Sequence, residues 1–183
     1  EKPEEDAYRY IKGSRIEISK SQLVNMTKFI EIDSSTQQGG AINLKPANCT
    51  IINCKFETCK AKTGGAVYIS YTGKGSFICD IKKTSFKDCV ATDNGGAIYV
   101  HISKDDTHSV NIDDCSFEGN NAKNGGAIYA YVRDSLSISL CRFDNNKATT
   151  GSSIWCQAGW NMADDKENAL YFLCCKKLLH PVG

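Results

Sequence analysis

No apolar run among the 183 residues is long enough to cross a bilayer, which removes a membrane-spanning helix and membrane insertion of this segment from the expected functions. Charge of one sign is missing as well: 22 Lys and Arg stand against 21 Asp and Glu, a net charge of +1. With that balance and no basic stripe interleaved with aromatics, nucleic acid is not expected as a partner. Histidine is scarce, three in all, and none is placed to complete the C-x4-C-x4-C of Cys49, Cys54 and Cys59. A zinc site is therefore not expected, nor any other metal or cofactor. Runs of about ten residues with an apolar period of about 3.6 do not occur between the glycine pairs, so helical repeats are excluded. No regular Thr-x-Thr column exists to suggest ice binding. The opening Glu1-Lys2-Pro3-Glu4-Glu5-Asp6 does not read as a signal peptide, and a processed chain or an excised domain is the expectation.

What is present is one phrase, repeated: Gly64-Gly65-Ala66-Val67-Tyr68, Gly95-Gly96-Ala97-Ile98-Tyr99 and Gly125-Gly126-Ala127-Ile128-Tyr129. A reduced copy, Gly39-Gly40-Ala41-Ile42-Asn43, lies upstream, and a degraded one, Gly151-Ser152-Ser153-Ile154-Trp155, lies downstream. Each follows a phenylalanine by eight to ten residues: Phe29, Phe56, Phe86, Phe117 and Phe143. Self-similarity at this period marks a solenoid, in which a repeat buries its apolar face against its neighbours. Short β-branched runs such as Cys49-Thr50-Ile51-Ile52 and Ser109-Val110-Asn111-Ile112 make the repeats strands.

Aligned on the phenylalanines, the columns are clean. Five residues earlier stand Ile51, Ile81, Ile112 and Ile138, and five later stand Ala61, Ala91, Ala122 and Ala148. Strands in a parallel stack lie about 4.8 Å apart, so like residues of successive coils lie on one another. The fold class expected is all-β, a single-stranded right-handed parallel β-helix of about five to six coils with capping segments. Paired glycines turn its corner. Three regions are expected: 1–28, an N-terminal cap with Tyr8 and Tyr10 and a lead-in coil; 29–157, the repeats; and 158–183, a C-terminal cap. Length variation falls in residues 45–48, 71–76, 101–107 and 132–135, loops on one side of the scaffold.

Ten cysteines invite a disulfide reading. Most occupy core columns that hold Val, Leu, Thr or Asn in other coils, so small buried hydrophobes with free thiols are expected. Bridges stay open for Cys115 with Cys141 and for Cys156, Cys174 and Cys175.

The motif Phe-x-x-Asn followed by Gly-Gly-Ala-Ile is carried by Phe117-Glu118-Gly119-Asn120 with Gly125-Gly126-Ala127-Ile128, and by Phe143-Asp144-Asn145-Asn146 with the degraded fifth copy. It resembles the polymorphic membrane protein (Pmp) repeats of chlamydial autotransporters and similar repeats in large surface proteins of some protists. Cysteine takes the Asn place in Cys59 and Cys89. The resemblance spans roughly residues 29–155 and implies an extracellular or cell-surface adhesin or passenger domain. No outer-membrane barrel follows in the sequence, so autotransport is not part of the expectation.

Three functions compete. Alternation on the glycine strand turns Tyr68, Tyr99, Tyr129 and Trp155 outward, an aromatic ladder that suits binding of a host or self surface glycan or protein. The same ladder would also stabilise its sheet by cross-strand contacts alone. A polysaccharide lyase or glycoside hydrolase would need a carboxylate constellation, and the one worth testing is Asp80, Lys82 and Asp113, with Asn111 beside them. A mixed-charge solvated face is the commoner explanation of such a cluster. The third function is a structural rod within a larger chain or assembly. His101 and His108 fall in a loop and are expected to be solvent-exposed.

Overall fold

The computed structural model describes residues 8–18, 20, 22–45, 47–72, 76–102, 108–132, 136–158 and 171–174. After β1 (Arg9–Lys12), the chain winds through five coils of four short strands. The first is β2 (Ile16–Ile18), β3 (Gln22–Asn25), β4 (Thr27–Ile30) and β5 (Asp33–Gln38). The second is β6 (Ile42–Leu44), β7 (Cys49–Ile52), β8 (Lys55–Glu57) and β9 (Lys60–Thr63). The third is β10 (Val67–Tyr71), β11 (Ile78–Lys82), β12 (Ser85–Lys87) and β13 (Val90–Ala91). The fourth is β14 (Ile98–Ile102), β15 (Ser109–Asp113), β16 (Ser116–Glu118) and β17 (Asn121–Asn124). The fifth is β18 (Ile128–Val132), β19 (Leu136–Ser139), β20 (Arg142–Asp144) and β21 (Lys147–Thr150), followed by β22 (Ile154–Ala158) and β23 (Tyr171–Cys174).

Corresponding strands stack in four parallel sheets. We call them the ladder sheet (β2, β6, β10, β14, β18, β22), the isoleucine sheet (β3, β7, β11, β15, β19), the phenylalanine sheet (β1, β4, β8, β12, β16, β20) and the alanine sheet (β5, β9, β13, β17, β21). The described residues contain no helix. Of the expected C-terminal cap, only residues 158 and 171–174 are among those described. There β23 pairs antiparallel with β19.

Register follows the columns. Phe29, Phe56, Phe86, Phe117 and Phe143 stack with ring centroids 4.7–4.9 Å apart and planes within 5°. Ile51, Ile81, Ile112 and Ile138 pair in sequence, as do Ala61 with Ala91 and Ala122 with Ala148. These side chains fill the bore, and all but Phe143 and Ala148 are buried.

The corners are where the structure adds most. Gly39, Gly64, Gly95, Gly125 and Gly151 take φ near +65° between the alanine and ladder sheets, the turn that the glycine phrase implies. Two further corners in each coil are also left-handed, but mostly without glycine. Met26, Asn53, Lys83, Asp114 and Leu140 turn the chain into the phenylalanine sheet, and Glu31, Thr58, Asp88, Gly119 and Asn145 turn it out again. A left-handed non-glycine residue costs about 1–3 kcal/mol, so each corner needs something to hold it. At every such corner but that of Glu31, which Ile32 follows, the next residue supplies it with a side chain that bonds backbone carbonyls. Asn120 Nδ2 donates to the Phe86 carbonyl at 3.1 Å, and Asn146 Nδ2 to that of Phe117 at 3.0 Å.

Cysteine performs the same task more weakly. The thiols of Cys59 and Cys89 donate to the carbonyls of Phe29 and Phe56 at 3.9 and 3.7 Å. At the preceding corner the thiols of Cys54, Cys115 and Cys141 contact the carbonyls of Val24, Ile81 and Ile112. Cys54, Cys59, Cys89, Cys115 and Cys141 are thus corner donors, whereas Cys49 and Cys79 lie within strands as small buried hydrophobes.

At the N-terminal end, Ile11 of β1 pairs with Phe29 and extends the phenylalanine stack. Of the two tyrosines before Ile11, Tyr8 is buried and Tyr10 is exposed. Lys55 Nζ sits 4.6 Å from the Tyr8 ring and Lys28 Nζ 5.8 Å from the Tyr10 ring.

Candidate functional site

Alternation along the ladder sheet sends Val67, Ile98 and Ile128 into the bore and leaves Tyr68, Tyr99, Tyr129 and Trp155 half-exposed on the outer face. The four rings form one continuous stack. Their centroids are 5.0, 5.2 and 4.3 Å apart and their planes lie within 7° of one another. Register carries the same column upstream through Asn43 to Glu17.

This geometry decides what the ladder can offer. Between neighbours the π faces are occupied by the adjacent ring, so along a strip of about 14 Å, three strand spacings long, the stack presents mainly edges and hydroxyls, and only the outermost faces of Tyr68 and Trp155 are not covered by a ring of the stack. Beside it runs a second row that the sequence reading did not identify. The His101 ring stands edge-on to Tyr131 at 4.8 Å and to Tyr99 at 6.3 Å. Burial pushes the Tyr99 hydroxyl up to about 12, helped by Tyr68 and Tyr129, and burial raises that of Tyr129 too. Both remain hydrogen-bond donors at neutral pH. Burial lowers His101, so its imidazole is neutral there.

The expectation of two solvent-exposed loop histidines is corrected. His101 lies in β14 and is half-buried, whereas His108 is buried against Tyr71 and Phe77 at ring distances of 4.7 and 5.1 Å. Both aromatic neighbours come from the preceding coil.

Asp80, Lys82, Asn111 and Asp113 do come together on the outer face of the isoleucine sheet. Asp80 pairs with Asn111, and Lys82 with Asp113, in the strand register. Asp80, Asn111 and Lys82 are engaged with one another, and one oxygen of Asp113 is engaged as well. Asp80 accepts from Asn111 Nδ2 at 2.8 Å and lies 3.5 Å from Lys82 Nζ, while Asp113 accepts from the Ser139 hydroxyl.

Seven cysteines, Cys49, Cys54, Cys59, Cys79, Cys89, Cys115 and Cys141, are free thiols, so the bridge left open between Cys115 and Cys141 is absent. Cys156 is disulfide-bonded. Among the described residues no group of His, Cys, Asp and Glu could hold a metal ion. The stacked pair Cys115 and Cys141 is asymmetric. A hydrogen bond from Cys115 favours the Cys141 thiolate and lowers it, whereas Cys141 and then burial raise Cys115. Cys141 is also the one half-exposed thiol of the seven.

Alkylation of the native protein with iodoacetamide is therefore expected to mark Cys141 alone among the seven, and all seven after unfolding. Because the folded group is depressed, its rate should reach half-maximum at a lower pH than that of the same thiol in the unfolded chain. Peptide mass spectrometry across a pH series reads both, and equally rapid labelling of Cys89 or Cys79 would contradict the packing described.

Comparison with known proteins places a family repeat on the same strands. Residues 114–131, which run from the corner at Asp114 through β16 and β17 into β18, match the Chlamydia polymorphic membrane protein repeat. No curated protein and no solved structure matches the chain. The matched segment holds Phe117 and Asn120 at one corner and Gly125-Gly126-Ala127-Ile128 at the next, and the register sets Phe117 between Phe86 and Phe143 and Ile128 beside Ile98. The chain is a parallel β-solenoid of about five coils, and residues 114–131 of its fourth and fifth coils are similar to the Chlamydia polymorphic membrane protein repeat.

Proposed function

We propose that the chain is a non-catalytic binding module of an extracellular or cell-surface protein, and that it engages a protein partner along the aromatic ladder. The observation that carries this reading is the edge-on stack of Tyr68, Tyr99, Tyr129 and Trp155. A sugar ring stacks on a π face, and the faces between neighbouring rings, six of the eight, are taken. A row of hydroxyls and ring edges, flanked by Tyr131 and His101, has the amphipathic character of interface centres, where Tyr and Trp carry most of the energy. The polymorphic membrane protein repeat supports a surface-associated protein. The non-catalytic part is supported by the carboxylates of Asp80 and Asp113, which are engaged by Lys82, Asn111 and Ser139.

The test is retention on arrayed ectodomains and arrayed glycans. We expect retention on protein features, weakened by about thirtyfold or more in Tyr99→Ala/Tyr129→Ala, as for two anchor residues of an interface. Circular dichroism should keep its β signature, since both rings are only half-buried. Undiminished retention of the double variant, or retention confined to glycans, would sink the reading.

A further inference from the structure

A cleft opens at the corner where the alanine and ladder sheets meet in the first two coils, and a length anomaly in the repeats creates it. Ten residues separate Phe29 from Gly39, whereas eight separate Phe56 from Gly64, Phe117 from Gly125 and Phe143 from Gly151. The strand pairing locates the surplus. Ser34 lies opposite Ala61 and Gln38 opposite Thr63, so Ser35, Thr36 and Gln37 face the single residue Lys62. Two extra residues are thereby pushed out of the alanine sheet as a bulge, a device that commonly re-aims side chains beside functional sites.

The cleft has a volume of about 390 Å³ and is lined by Arg15, Thr36, Gln37, Gln38, Asn43 and Lys62. None of these is apolar, so a lipid or aromatic ligand has nothing to bury against. Three carboxamides, a hydroxyl and two cationic side chains match a polyhydroxylated ligand. Charge narrows the class further. Arg15 is pinned, with Nη1 donating to the Gln38 carbonyl at 2.8 Å and Nη2 to Glu17 at 2.6 Å. Lys45 Nζ reaches the other oxygen of Glu17 at 3.0 Å, and Lys45 and then Arg15 hold that carboxyl below its ordinary range. One carboxylate thus answers two cations. Lys62 is exposed and has no ion-pair partner among the described residues, which leaves the cleft and its rim net positive.

We infer that this cleft binds an acidic saccharide, with Lys62 and Arg15 recognising its carboxylate or sulfate and the amides of Gln37, Gln38 and Asn43 its hydroxyls. The inference is independent of the aromatic ladder, because none of the lining residues belongs to it. Titration calorimetry of the whole chain with tetragalacturonate, a sulfated heparin tetrasaccharide and neutral maltotetraose tests it. One or both acidic sugars should bind at one site per chain, at least about tenfold more tightly than maltotetraose, and the two acidic arms separate carboxylate from sulfate.

Lys62→Gln should weaken that binding by about tenfold or more. Deleting Thr36 and Gln37 restores the spacing of three other coils and should abolish binding with the β signature retained. If the deletion unfolds the chain, Lys62→Gln carries the test by itself. Lys147→Gln, on the same sheet three coils away, should leave the affinity unchanged. Equal binding of maltotetraose, no binding of either acidic sugar, wild-type affinity in Lys62→Gln, or equal weakening by Lys147→Gln would each overturn the proposal.

Discussion

Replacing Gly96 by alanine is expected to destabilise the protein by roughly 4 kcal/mol, against a native stability on the order of 5–15 kcal/mol for a domain. Gly96 is not among the positive-φ residues, so backbone strain is not the cause, and alanine would even reduce the entropy lost on folding. Space decides the sign. A Cβ at Gly96 would run into the carbonyl oxygen of Gly126 in the next coil, with the backbone of Asn121 close behind. Those atoms belong to the stacking ladder. Gly96 N–H bonds the Gly125 carbonyl at 3.1 Å and Ala97 N–H that of Ala127 at 2.9 Å. Making room means spreading two coils and loosening bonds worth about 1 kcal/mol each. The second glycines of the other copies meet the same constraint, each against the coil that follows it: Gly40 against Gly65, Gly65 against Gly96, and Gly126 against Ser152.

The degraded fifth copy then has a physical explanation. Ser152 occupies the second-glycine position in the last coil, is exposed, and among the described residues has no further coil on its downstream side. Ser152→Ala should accordingly change stability by less than about 0.5 kcal/mol. Urea unfolding of both variants compares them directly. Gly96→Ala at wild-type stability, or Ser152→Ala as costly as Gly96→Ala, would mean that the coils do not approach as described.

This asymmetry also marks what the sequence could reveal. Phenylalanine, isoleucine, alanine and glycine columns are legible because a side chain stacked on its own kind has few substitutes, and a wall approached by backbone has only glycine. The other two corners were not legible. Their demand falls on φ alone, and the side chains at those positions, Met26, Asn53, Lys83, Asp114 and Leu140 in one column, have no chemistry in common. Enrichment in Asn and Asp was the available signal. The ladder's position followed from alternation, but its edge-on geometry did not, because that depends on how the rings slip past one another. Ile11 escaped because it precedes Phe29 by a step shorter than any repeat. The cleft was half legible: the ten-residue spacing was visible, and only the pairing of β5 with β9 shows where its surplus emerges.

Phe86→Ala is expected to cost about 4 kcal/mol and to change how the protein unfolds as well as when. Phe86 is fully buried and sandwiched, with Phe56 at 4.9 Å and Phe117 at 4.8 Å. Truncation leaves a cavity in the bore and removes two stacked contacts, each worth about 1 kcal/mol beyond burial. Phe143, half-exposed at the downstream end of the same stack, has among the described residues only Phe117 as a ring partner, so Phe143→Ala should cost about half as much. Position matters for cooperativity too. A solenoid holds together through contacts between adjacent repeats, and Phe86 lies at the centre of a column that joins five coils. Weakening it should uncouple the first two coils from the last two, so the urea m-value falls and amide hydrogen exchange accelerates unequally in the two halves. Phe143→Ala should lower the midpoint with the m-value preserved. Equal costs for the two substitutions, or a single cooperative transition of unchanged slope in Phe86→Ala, would show that the phenylalanine stack is not the axis through which the coils are coupled.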